Sequence, residues 1–501
     1  MRTRRFVLAV AAVLVYTCTV PFQKTGYAQP LSCTTSTADA ALSTVQAAMD
    51  AALNGAVVCV PAGNATWSGT LTFPPNKNLT VSGAGIGQTI INCGSTNCWT
   101  MSNSSNQRLT GFEFNWTATA DVLLTVHGEV TNGRFFRIDH NKLSAPQTRW
   151  SIIDISGGGP TAKHPTGLID NNVFLNFSIH VNGTNFTLTD SNTQHVLWSQ
   201  PTTLGDFVDV VYVEDNSFTS TPATGFQNFS DGNYGARWVW RFNTHNGHGT
   251  GVEVHSVQGP NRAVRRWEIY GNSWSKNAQS FYPVAFIRGG SGVVFDNTAS
   301  VQYDDPLLLD NVRSMRDPGG GVGACTGTSN WDQNTSGQNG YACRDQIGRG
   351  PDATTWSPGQ PFTQPSLPAY FFNNFKGSNQ FSFTRPEDCG SENCLPSPGN
   401  NQTHIGENRD FYSYAAGFNG TSGVGRGTLA GRPSTCTVGV AYWATDVGDW
   451  NSRQAGADGQ LYKCTATNTW SLYYTPYQYP HPLSLGSGTV PSAPANLRII
   501  K

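Results

Sequence analysis

Charge is what this chain has least of. Asp, Glu, Lys and Arg make up 13% of its 501 residues, against roughly 25% in an average soluble domain. The balance is close to neutral, with a formal net charge of −1. Nucleic acid and anionic membrane surfaces are recognised through dense Lys/Arg clusters, so neither is an expected partner. Long apolar runs are absent beyond the N-terminus, so no membrane span is expected. There is no CxxC pair of the kind that opens a zinc half-site.

What replaces charge is glycine, small polar residues and aromatics. Gly occurs 54 times and aromatics make up 11% of the chain, a composition that suits an extracellular all-β protein. The N-terminus agrees. Arg2, Arg4 and Arg5 precede the apolar run FVLAVAAVLVY at 6–16, and Gly26-Tyr27-Ala28 offers a small-x-small cleavage site. Residues 1–28 therefore read as a secretory signal peptide. Cys18 follows Thr17, a poor context for lipid attachment. Of 11 cysteines, removing Cys18 with the leader leaves ten, an even number that suits an oxidising compartment. Nearest-neighbour pairing joins Cys33 with Cys59, Cys93 with Cys98, Cys325 with Cys343, Cys389 with Cys394, and Cys436 with Cys464.

The dominant pattern is a repeat. An alternating apolar stretch, an Asn and a short second stretch recur as GFEFNWT, RIDHNKLS, LIDNNVFL, YVEDNSFT, VWRFNTH, EIYGNSWS, VVFDNTAS and YFFNNFKG. The aligned residues are Asn115, Asn141, Asn172, Asn216, Asn243, Asn272, Asn297 and Asn374. Most intervals lie in the middle to upper twenties. Three short strands per such period is the geometry of a parallel β-helix. The Asn is expected to take the left-handed bend between two strands and to hydrogen-bond from coil to coil. Such a stack needs end covers. Ser36-Thr37-Ala38-Asp39 reads as a capping box, and Leu42, Val45, Met49 and Leu53 form one apolar stripe of a capping helix.

Helix, then VVCVPAG, then NLTVSGAG, then Asn-turn coils resembles the pectin-lyase-like superfamily of right-handed parallel β-helices, over roughly residues 36–385. The expected fold is thus an all-β, right-handed parallel β-helix over 29–385. It has an N-terminal capping helix, a loop insert at 303–369, a C-terminal aromatic-rich β cap at 386–485 and a disordered tail at 486–501. The superfamily holds polysaccharide lyases, glycoside hydrolases, esterases, tailspikes and adhesins, so the fold does not select an activity. Arg137-Ile138-Asp139-His140 is similar to the W-I-D-H stretch of pectate lyases, but their R-x-P-x-R element is missing. Gly247-His248-Gly249 is similar to the G-H-G of polygalacturonases, without their N-T-D element. GARWVWRFN, VEVHS, RRWEIYGN and FIRGG resemble uncharacterised secreted bacterial β-helix proteins.

The resemblance implies a ligand groove along the first strand of each coil. Reading upstream of the turn Asn gives VLLTVHG (122–128), SIIDIS (151–156), HVLWS (195–199), FQNFSDGN (226–233), GVEVHS (251–256) and VAFIRGG (284–290). Period-two alternation turns the polar residues outward. Asp231, Glu253, His255 and Arg288 are the expected catalytic ladder on successive coils. His127, Asp154, Trp198 and Arg237 are the expected substrate contacts. Asp154, Asp231 and Glu253 supply oxygen ligands suited to calcium. The chemistry expected is β-elimination on a uronate-containing polysaccharide, with His255 as base and Arg288 on the carboxylate or enolate. Hydrolysis by Asp231 and Glu253 and a non-catalytic carbohydrate-binding or adhesive β-helix are the alternatives. Trp443, Trp450, Trp470, Tyr473, Tyr474 and Tyr477 suit either stacking on sugar rings or packing of the cap, with packing the commoner use. A monomer is expected, because a capped stack does not require partners.

Overall fold

The computed structural model describes residues 31–117, 121–127, 134–146, 151–157, 163–184, 196–221, 228–247, 249–258, 261–276, 283–314, 323–325, 341–351, 364–385 and 401–485. The leader, the 486–501 tail and His248 lie outside these residues. Among these residues, three long sheets of twelve, ten and eleven strands run side by side along the chain, parallel throughout except for the last strand of the eleven. Each coil contributes one strand to each sheet, as in Val122–His127, then Phe136–Asp139, then Lys142–Ser144, after which Ser151–Ser156 stacks on the first. This is a parallel β-helix. Its interior is apolar because alternate residues of every strand point into it. Phe174, Phe218, His245 and Trp274 stack from coil to coil inside it, at 4.8, 5.3 and 3.5 Å between ring centres.

The asparagine ladder is present, with two corrections. The left-handed residue is the one before each Asn: His140, Asn171, Asp215, Phe242, Asp296 and Asn373 have φ between 53 and 58°. The Asn itself bridges coils. Its Oδ1 accepts the backbone N–H of the equivalent residue one coil earlier, from Asn141 N on Asn172 at 3.0 Å to Asn297 N on Asn374 at 3.1 Å. Its Nδ2 returns to backbone carbonyls, as from Asn243 to Val213 at 2.9 Å. These side chains satisfy buried backbone groups that the bend leaves out of the sheet ladders. The second correction is Asn115. Thr110 stacks on Asp139, so Phe112 holds the ladder position and donates its N–H to Asn141 Oδ1 at 3.0 Å. Asn115 sits three residues further on, inside a strand.

At the N-terminal end, helix α1 (Leu42–Ala51) lays Val45 and Met49 on the core. Leu53 falls beyond the helix and is 82% exposed, so the apolar stripe stops one turn early. No capping box forms. Ala41 is the N-cap, and Asp39 Oδ1 accepts its N–H at 3.0 Å.

Four of the five expected disulfides are present: Cys33–Cys59, Cys93–Cys98, Cys325–Cys343 and Cys436–Cys464. The fifth expected pair, Cys389 and Cys394, lies outside the described residues. A bond between Cys389 and Cys394 therefore remains an expectation of the sequence.

Within 303–369, Leu307–Leu309 is still a strand of the ten-strand sheet, and the chain leaves the coil after it. Phe411–Ser413 adds the last strand of the twelve-strand sheet. The chain then forms a four-strand sheet, Val424–Gly427, Ala441–Ala444, Gln460–Ala466 and Thr469–Tyr474. One face of it folds back on the outer face of the coils. Trp443 packs on Phe295 and Phe372 at 5.0 and 5.1 Å, and Tyr479 stacks on Phe242 at 3.8 Å. Buried charges tie the last segment down: Arg241 donates to the carbonyls of Tyr477 and Gln478, and Tyr474 Oη donates to Glu268. The cap aromatics Trp443, Trp450 and Tyr474 are buried in the cluster between the cap and the coils, and Trp470, Tyr473 and Tyr477, partly buried, pack against it.

Candidate active-site cleft on the ten-strand sheet

The strands that matter are β1 (Val122–His127), β2 (Ser151–Ser156), β3 (Ser178–Asn182), β4 (Asn228–Asn233), β5 (Thr250–Val254) and β6 (Ala285–Ile287). They pair in parallel in that order. Register puts Thr125, Asp154, His180, Asp231, Glu253 and Phe286 in one row. Ser156, Asn182 and Asn233 begin the next row, toward the strand ends. All face away from the core because Ile153, Ile155, Ile179, Val181, Val252 and Val254 fill the alternate, inward positions. The rows open on a cleft of about 420 Å³ that includes Asp154, His180, Asp231, Tyr234, Glu253 and His255 in its lining.

Asp231, Glu253, His255 and Arg288 meet at one end. His255 Nε2 lies 3.0 Å from Asp231 Oδ2 and 3.5 Å from Glu253 Oε1. Arg288 Nη2 reaches both Glu253 Oε1 and, at 3.0 Å, His255 Nδ1. A guanidinium is only a donor, so Nδ1 must be the accepting nitrogen and Nε2 carries the proton toward Asp231. Burial, reinforced by Arg288, drives the imidazole down to about 3 and keeps it neutral. Its one lone pair is therefore already used, and the base expected at His255 is occupied in this arrangement. Glu253 is committed on both oxygens, because Asn228 Nδ2 donates to Oε2 at 2.7 Å. Arg288 also lies over the Phe286 ring at 4.5 Å.

Asp231 behaves differently. Burial pushes it up to about 6, against the opposing pull of His180, Arg288 and the amide of Asn233. Asn233 Nδ2 donates to its Oδ1 at 3.2 Å. At the other end of the row His127 Nε2 lies 2.7 Å from Asp154 Oδ2, and Asn182 Nδ2 donates to Asp154 Oδ1 at 2.5 Å.

The sequence did not single out His180, Asn182, Asn228, Asn233 or Tyr234. Tyr234 follows β4 in a turn at φ 57°, a conformation unfavourable for a bulky residue and often associated with function. Burial, then Asp231 and Asp154, raises its phenol to about 12, so it holds its proton at neutral pH. The signal available was GNYGA, a tyrosine between turn-formers at the end of a groove strand.

Two expected contacts lie elsewhere. The third groove strand is SIHVN, not HVLWS. Residues 196–199 form a helical turn, and Trp198 is fully buried with its Nε1 donating to Ala263 O at 2.8 Å. Arg237 is buried on the twelve-strand sheet and donates to Leu197 O at 2.8 Å. The RIDH stretch is structural: Arg137 pairs with Asp170, and Asp139 with Arg108, in a buried ion-pair row.

Asp231, Glu253 and His255 place their ligand-type atoms within 4.8 Å of one another. That set fits calcium poorly. Calcium takes six to eight oxygens, whereas two carboxylates are offered with an imidazole that carries its proton toward them. Arg288 already neutralises Glu253 from the same side. Asp154 belongs to the His127 and Asn182 group instead.

No family model matches the chain. No curated protein matches it either. Among solved structures it is similar to the crystal structure of an alginate lyase from Paenibacillus sp. str. FPU-7, at 16% identity, over 53% of this chain and 96% of that one, with a TM-score of 0.25. A likeness that low assigns neither reaction nor site, and the β-helix rests on the sheet topology itself.

Proposed function

We propose that the cleft on the ten-strand sheet cleaves an extended, uronate-containing polysaccharide by β-elimination. The observation that supports this most is the in-register row Asp154–His180–Asp231–Glu253. It repeats polar groups about every 4.8 Å along an open groove, which suits a linear polymer. In the reaction proposed, Asn182 and Asn233 each use one amide N–H on an aspartate and offer the second to the uronate carboxylate. Asp231, raised to about 6 yet ionised at neutral pH, takes the C5 proton. The released electron pair forms the C4–C5 double bond as the C4–O4 bond breaks. Tyr234, held protonated, gives its proton to O4. Arg288 and His255 keep Glu253 and Asp231 in place. No metal enters these steps.

Hydrolysis is the second reading. Its support is that Asp231 and Glu253 lie within 4.8 Å, with Asp231 raised by burial and Glu253 ion-paired to Arg288. It ranks below because Glu253 is tied up in an ion pair with Arg288, which would have to break before Glu253 could act as nucleophile or acid.

The test is incubation of the protein with a panel of uronate polysaccharides and neutral glycans, following ultraviolet absorbance of unsaturated ends and reducing ends in parallel. Both signals rising together, with chelator or without, is the expected result. Reducing ends alone would establish hydrolysis. Retention on an insoluble glycan with no product would leave a binding protein.

A further inference from the structure

Behind the Tyr234 end of the cleft, near Arg237–Arg241 and Arg266–Tyr270 of the twelve-strand sheet, five arginines crowd round two carboxylates already in ion pairs, with Asp206 and Asp209 acting on Arg237 from further off. Asp345 binds Arg262 through both oxygens at 2.6 and 2.7 Å, and Arg344 lies 3.9 Å from the same group. Glu268 pairs with Arg266 and also accepts from Gly205 N and Tyr474 Oη. Arg237 and Arg265 are left over. Each is 2% exposed, and each buries an Nε–H that no acceptor meets. The Arg237 guanidinium donates to the carbonyl of Leu197. Arg265 lies over the Trp198 ring at 5.3 Å. Among the described residues neither makes an ion pair.

The leftover pair converges on one place. Trp198 carries Arg262 at 4.7 Å as well as Arg265, and the adjoining Leu197 receives Arg237. Burial, followed by Arg237, depresses Arg265 to about 9, and burial brings Arg237 to about 10 against the longer-range pull of Asp209. A guanidinium nevertheless keeps its proton at physiological pH. Two such charges buried without a paired carboxylate are costly, and buried polar groups left unsatisfied call for a bound species.

We propose that Arg265 and Arg237 hold a small inorganic oxyanion, sulfate or phosphate, beside Trp198. The guanidinium fork matches a pair of oxyanion oxygens, which a spherical halide does not offer. The proposal does not rest on the reaction proposed for the cleft.

The full chain would be unfolded thermally across a series of sodium sulfate and, separately, sodium phosphate concentrations. Sodium chloride would hold the ionic strength constant. One oxyanion should raise the midpoint saturably, by about 3 °C at roughly 100 times its half-saturating concentration. The arm that responds identifies the ion. In Arg265→Met the saturable rise should vanish, and the variant should be the more stable protein in oxyanion-free buffer. A saturable rise that survives Arg265→Met overturns the proposal, and so does a wild-type response to neither oxyanion. Should the variant not fold, wild-type crystals soaked in selenate decide: an anomalous peak between Arg237 and Arg265 supports the site, and none refutes it.

Discussion

Replacing Asp231 by Asn should separate stability from activity. Folded Asp231 titrates near 6, against 3.8 for a free aspartate. The native state therefore holds this proton more tightly than the unfolded chain. Its contribution to stability is complete below pH 3.8 and is lost as pH rises through about 6. A shift of about two units corresponds to about 3 kcal/mol, all of it a cost by pH 8. An amide of the same shape removes that cost. It still accepts from His255 Nε2, while the Asn233 amide turns over to accept its N–H, at a loss of about 1 kcal/mol. Asp231→Asn should therefore be about 1–2 kcal/mol more stable than wild type at pH 8. Below pH 4 it should be no more stable. Turnover on the cleaved polysaccharide should fall about 10²–10⁴-fold, the usual weight of a general base. Denaturant unfolding at pH 4 and pH 8, paired with the product assay, measures both. A variant less stable than wild type at pH 8, or one that still turns over, would refute the reasoning.

Tyr234→Phe should still fold while losing about 10²-fold or more in kcat, with KM little changed, because the proton donated to O4 is removed. Arg288→Met leaves the Glu253 carboxylate partly buried with Asn228 and, at 3.5 Å, His255 beside it but no cation paired to it, and should cost about 3 kcal/mol in denaturant unfolding. Adding Glu253→Gln to it should restore part of that loss, and strict additivity of the two would show that the pair is not coupled. Asn243→Ala orphans the Asn216 backbone N–H and the Val213 carbonyl inside the ladder, and should cost about 2–5 kcal/mol by the same measurement.

Much of this protein is legible in its sequence because the fold is built from repetition. Each coil solves the same problem with the same residues, so period-two alternation and the recurring Asn announce the strands, their inward faces and their neighbours. The meeting of Asp231, Glu253, His255 and Arg288 follows from that period alone, since stacking successive coils brings equivalent positions together. Nearest-neighbour cysteines pair for a related reason: in a stack, short sequence separation is also short distance.

The errors fall where repetition breaks. Between Asn172 and Asn216 the interval lengthens to 44 residues, and two stretches there alternate well enough to be the groove strand. SIHVN won because Ile179 and Val181 stack on Ile153 and Ile155, whereas Trp198 found a better burial under Arg262 and Arg265. Asn115 carried the right residue three positions out of register, because Phe112 had taken the ladder position without an amide. The capping stripe lost Leu53 because the helix ended at Ala51. Local pattern, in short, determines which residues face in and which out, since alternation is a property of a single strand. The state of each group is another matter. That His255 is neutral with its lone pair spent, that Asp231 is raised and Tyr234 kept protonated, and that two arginines are buried without a paired carboxylate depend on neighbours from other coils and from the folded-back C-terminal segment. Those distances come into being only when the chain is stacked, and only the tertiary structure decided them.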